Sequence, residues 1–147
     1  MRGLLLPETD PWGDAGLLHL PVTTAAEPAE PQSLRSFIAE AYPRYGFHRW
    51  AEVLIELLQQ VADGQLSRLI VTCPPRLGKS LLVSKLFPAY FLQRYPHLFA
   101  AIASYSAELA YAHSREARQF YRVTGHLLAR DSAAVGNWLT RQRGGCI

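Results

Sequence analysis

Lys79 and Ser80 close the run Pro74-Pro75-Arg76-Leu77-Gly78-Lys79-Ser80. A glycine, a lysine and a hydroxyl in that order are the groups that hold a phosphate chain and its cation. Backbone N–H groups of the loop and of a new helix point at the anion. Gly78 lets the backbone approach the phosphates. Lys79 supplies a point charge for the β/γ-phosphates, and the Ser80 hydroxyl can ligate Mg²⁺. The usual pattern opens with a glycine five residues before its second one; here that position is Cys73, followed by two prolines. The alternative for this stretch is an ordinary strand-to-helix turn with an exposed Lys79.

Two further groups of residues could do chemistry. Arg115, Arg118 and Arg122 fall at i, i+3 and i+7, which makes one basic stripe on a helix. Such a stripe is either a solvated face or a contact for phosphate or a DNA backbone. His48 is a lone histidine just before a helix, where a surface or capping role competes with any role in binding. Cys73 and Cys146 supply no metal or disulfide framework, and Cys73 reads as a small apolar residue at a strand end.

The elements that must position these groups are legible from periodicity. The apolar run Leu69 to Cys73 reads as a buried strand leading into the loop. A helix follows from Lys79, apolar on most sides, and Pro88 should kink or break it because it cannot donate to the Ser84 carbonyl. Leu98 to Ala103 reads as a second buried, parallel strand ending in Ser104-Tyr105. Strand, helix, strand make a βαβ unit with a right-handed crossover. Ligands in such sheets lie at the carboxyl ends of strands, which places Ser104 and Tyr105 on the loop's edge.

Before this unit, Ser33 caps a helix with Leu34, Phe37, Ile38 and Ala41 on one face, stopped by Pro43. The helix from about Arg49 carries Trp50, Val53, Leu54, Leu57, Leu58 and Val61 as its apolar face, with Gly64 beyond its end. After it, Ser106 caps the helix that bears the arginines, with Leu109, Ala110, Ala117, Phe120 and Tyr121 inward. Asn137 to Thr140 reads as a short strand with Gly144-Gly145 as a hairpin turn.

Composition sets the bounds. The chain has 147 residues, 49% apolar and 18% charged, which suits one domain with a core. No apolar run approaches the roughly 18 residues needed to span a membrane. Leu4-Leu5-Leu6 is too short for a signal-peptide core, so a cytoplasmic location is expected. Residues 1–32 hold one arginine against five acids, −4, and five prolines; they read as a flexible lead-in. Residues 33–147 carry 14 basic and 7 acidic groups, +7, a balance that suits a polyanionic partner.

In their order these residues resemble the N-terminal ATPase domain of the large terminase subunit of tailed bacteriophages and prophages. The resemblance covers about Ser33 to Ile147. Ser33-Leu34 with Phe37, then Tyr42-Pro43, is similar to the family's leading helix, and Phe47-His48 to its aromatic-His step. Pro74 to Ser80 resembles its Pro-Pro-Arg-x-Gly-Lys-Ser loop, which also lacks the first glycine. Pro88-Ala89-Tyr90, Ser104-Tyr105-Ser106 with Leu109-Ala110, Ser114-Arg115 with Arg118, and Trp138 through Gly144-Gly145 resemble later steps.

The resemblance implies an α/β fold: part of a P-loop NTPase domain, three-layered around a parallel sheet, over residues 33–147. It implies an ATP- and Mg²⁺-dependent motor that drives double-stranded DNA into a procapsid. The partners it implies are the small terminase subunit, the portal protein and further copies of the chain, in the cytoplasm of a bacterial host. It assigns Pro75, Arg76, Leu77, Gly78, Lys79 and Ser80 to the phosphates and Mg²⁺, with Arg76 at the γ-phosphate. His48 and Arg49 fall toward the adenine, and Ser104-Tyr105 near the loop, coupling ATP state to movement.

The family continues past the hairpin into a strand ending in paired acids, which hold Mg²⁺ and activate water, and then into a nuclease domain. No acid follows Asp131 here. The expectation is therefore the ATP-binding part of such a protein, without a general base for hydrolysis. Two other classes stay open: another P-loop enzyme, helicase-like or a small kinase, and a non-catalytic remnant that binds nucleotide or DNA.

Overall fold

The computed structural model describes residues 32–130 and 137–147. The expectations for the lead-in before residue 32, and for Asp131, lie outside the described residues. The fold is mixed α/β: five α-helices and three short strands among the described residues.

Helix α1 spans Leu34–Ala41, and the Ser33 side chain accepts from the Ser36 N–H as expected of an N-cap. Leu34, Phe37, Ile38 and Ala41 are all buried. Helix α2 spans Arg49–Ala62. Its buried face is shifted from the one periodicity indicates and shares Leu54 and Leu58 with it. Ala51, Leu54, Ile55, Leu58 and Ala62 are buried, while Val53 is 53% exposed. Two offset apolar stripes overlap on this helix, and packing against α1 and α4 decides between them. The small Ala51 and Ala62 mark the close approach, a signal that side-chain hydropathy alone underweights.

Helices α3 (Lys79–Leu81) and α4 (Phe87–Arg94) are joined without a break by a π-helical turn, Leu82–Leu86. The wide turn sits immediately before Pro88. It absorbs the missing N–H and the ring's bulk, so the helix continues past Pro88 without a break. Pro88, Ala89, Tyr90 and Leu92 are buried. Tyr90 donates to Gln59 Oε1 (3.1 Å) and to the Gln32 carbonyl (3.0 Å), locking α4 to α2.

The sheet differs most from expectation. Strand β1 (Phe99–Ala100) pairs in parallel with β3 (Gly145–Cys146), and β2 (Trp138–Leu139) pairs antiparallel with β3, in the order β1-β3-β2. The pairing extends past the short strands, since Ile102 N–H donates to Ile147 O at 2.8 Å. Residues 69–73 are not a strand; the described residues give them no ladder partner, and Ile70 is 91% exposed. A parallel strand needs a sequence-distant neighbour, so an apolar run by itself does not make one. Nor is the second run buried throughout, with Leu98 41% and Phe99 55% exposed. An apolar groove of about 420 Å³ remains between Val83, Phe87 and Phe91 on one side and Ala100 to Ala103 on the other.

Gly144-Gly145 is not the hairpin turn. The turn lies at Arg141 to Arg143, where Arg143 takes a left-handed φ of 68°. Both glycines are buried at the seam of the sheet, donating to Pro96 O (3.1 Å) and Leu98 O (2.9 Å) respectively. Helix α5 (Ala107–Val123), capped by Ser106, packs on the π turn and on α4, and its buried Ser114 carbonyl accepts from Trp138 Nε1 at 3.2 Å. Trp138 also stacks on Tyr121, with centroids 5.4 Å apart, so α5 and the sheet share one core. Among the described residues no helix is long and apolar enough to cross a membrane.

Candidate anion-binding loop

The loop joins a half-exposed extended segment to the start of α3. Within it Arg76 has a φ of 67° and Gly78 a φ of 87°. Two left-handed residues bracketing Leu77 curl the backbone sharply. For Gly78 this conformation is free of Cβ strain; for Arg76 it costs of order 1–3 kcal/mol, a cost concentrated at functional sites. Open space surrounds Gly78, so φ rather than room is what requires glycine there.

None of the backbone N–H groups from Arg76 to Ser80 donates to a backbone carbonyl among the described residues. The first backbone bonds of the new helix are Leu81 N–H and Leu82 N–H, both to Gly78 O. Unpaired N–H groups at a helix start carry partial positive charge. The loop residues Cys73 to Leu81, together with Lys85, line one concavity of about 570 Å³. Pro75, Arg76, Leu77, Gly78, Lys79 and Ser80 are therefore brought together. Among the described residues no carboxylate lines this concavity. Its donor set is backbone N–H, ammonium, guanidinium and hydroxyl, which fits a polyphosphate. Lys79 is partly buried; Arg76 and Ser80 are exposed.

The other residues singled out by sequence do not line the concavity. His48 is an exposed N-cap of α2 whose carbonyl accepts from Ala51 and Glu52 N–H at 2.9 and 3.0 Å; its side chain caps nothing. Arg49 is exposed beside it. Ser104 is exposed and Tyr105 is 92% exposed, both in the segment before α5. Arg115, Arg118 and Arg122 do come together. With Gln119 and Val123 they line an open depression of about 600 Å³ on α5.

Sequence reasoning missed a cluster beside the loop. Lys85 Nζ pairs with Glu116 Oε1 at 2.7 Å, linking the π turn to α5. His113, one turn before Glu116, has a buried Nδ1 without a hydrogen-bond partner among the described residues. Burial, helped by the charge of Lys85 and opposed by Glu116, holds its imidazole below the usual histidine range. The one available signal was that Lys79 and Lys85 are the only lysines in the chain. Compared with protein-family models, curated proteins and solved structures, the chain matches none.

Proposed function

We propose that this chain binds the phosphates of a nucleoside triphosphate at Arg76–Ser80, as the ATP-binding part of a DNA-packaging motor of the large-terminase type with a P-loop fold. The observation that carries the reading is the set of N–H groups from Arg76 to Ser80, without backbone acceptors among the described residues and curled by left-handed Arg76 and Gly78 around one concavity with Lys79. In this reading Lys79 neutralises the β/γ-phosphates, Arg76 meets the terminal phosphate, and Ser80 holds Mg²⁺. Bound Mg²⁺ supplies charge neutralisation between the phosphates. Titration with Mg·ATP tests the proposal. Saturable binding that inorganic tripolyphosphate displaces is expected; no binding by either would remove the reading.

The arginine depression favours double-stranded DNA as the second ligand, since phosphate contacts are made chiefly by such side chains. Replacing Arg115, Arg118 and Arg122 together by alanine is expected to weaken DNA binding uniformly across sequences. Each lost phosphate contact should reduce the slope of log K against log salt by about 0.9. An unchanged affinity and slope would mean that the stripe is only a solvated face.

A further inference from the structure

We infer that Lys85 is a second cation of the anion-binding loop, held on Glu116 and taken up by a bound polyphosphate. The inference rests on the nucleotide-binding reading of the loop and deepens it. Lys85 lines the same concavity as Lys79, yet its ammonium is committed to a carboxylate on α5, 2.7 Å away. The two partners differ in exposure: the Lys85 side chain is 19% exposed and that of Glu116 43%. A shielded ammonium needs a partner, whereas a half-exposed carboxylate can return to water at little cost. A polyphosphate offers several anionic oxygens against the single carboxylate. It therefore competes for Lys85 from within the concavity that Lys85 already lines.

The surroundings leave Glu116 as the partner that holds Lys85. Of the other groups facing the pair, the His113 imidazole is held below its ordinary range first by burial and then by Lys85, against the pull of Glu116. The π turn that carries Lys85 is also the stretch of the rod against which α5 packs. Moving the ammonium from Glu116 to a ligand consequently removes one ion pair between the π turn and α5, while the packing of α5 on the rod stays in place. The bland alternative is a structural tie between two helices with no part in binding. The two differ in sign: a structural tie gives no gain in affinity when it is cut.

Affinity for inorganic tripolyphosphate, measured by calorimetry on the whole chain, separates them. Glu116→Gln frees Lys85 and should tighten binding about threefold to fivefold, the scale of a partly exposed ion pair. Lys85→Met should weaken it roughly tenfold, the scale of one charge-assisted contact. In the Lys85→Met background Glu116→Gln should do nothing, because Glu116 acts only through Lys85. Unchanged or weaker binding by Glu116→Gln overturns the inference. So does a gain that persists without Lys85, which would be repulsion through space. Should Lys85→Met fail to fold, Lys85→Gln carries the same comparison. Lys79→Ala identifies which claim has failed. If it abolishes binding while Glu116→Gln changes nothing, the loop reading stands and this inference falls. If the unaltered chain binds no tripolyphosphate, both fall together.

Discussion

Alanine at Gly144 or Gly145 is expected to destabilise the protein by roughly 3–5 kcal/mol, a large share of a typical domain's stability. A methyl group at Gly144 would press into the carbonyl oxygens of Leu98 and Pro96, and one at Gly145 into that of Trp138. These are backbone atoms, in the turn before β1 and on β2, so no side chain can swing aside. Relieving the clash means moving this segment away from the turn before β1, which breaks Gly144 N–H to Pro96 O, or away from β2, which strains the neighbouring bond from Thr140 N–H to Gly144 O. Each such bond contributes about 1 kcal/mol, and the buried groups left behind cost more. Loosening β3 also loosens Trp138 and Cys146, both fully buried against α5. Thermal unfolding followed by circular dichroism should show a fall on the order of 10 °C or more. A melting temperature unchanged by either substitution would contradict the described seam.

The second large effect is expected at the loop. Lys79→Ala should weaken Mg·ATP binding by on the order of a hundredfold, since contacts between an ammonium and phosphate oxygens are each worth about 1.5–3 kcal/mol. Lys79 makes no ion pair among the described residues, so its removal takes no internal partner with it. The folded state should be unaffected, and a circular dichroism melt serves as the control. Unchanged ATP affinity in a folded Lys79→Ala protein would remove the nucleotide reading.

Local signals in the sequence were strong where the structure is local. Ser33 and Ser106 were legible as caps because a hydroxyl three residues before a free N–H is a complete signal in itself. The glycine-lysine-serine step was legible for the same reason: the left-handed Gly78 and the start of α3 need only adjacent residues. What the sequence could not supply was pairing at a distance. Residues 69–73 have an apolar strand's composition, but a strand also needs a ladder partner from another part of the chain, and none is present among the described residues. The same limit hid Lys85 and Glu116, which face each other from two different helices. Gly144 and Gly145 were read by their commonest use, a turn. Their actual use is to let three backbones meet, which depends on β1 and β2 being already in place. The π turn reflects a conflict that was legible in Pro88, resolved by a wider turn rather than a break.

The central claim is that the amides of Arg76 to Ser80 receive phosphate oxygens. Amide hydrogen exchange of those residues, with and without saturating Mg·ATP, tests it most directly. Among the described residues these amides lack backbone acceptors and should exchange fast in the free protein. Bound phosphate should slow them by at least the factor that its occupancy allows, with Leu81 and Leu82, already bonded to Gly78 O, changing far less. Exchange at Arg76 to Ser80 that stays fast while ATP is demonstrably bound would place the nucleotide elsewhere and contradict the account.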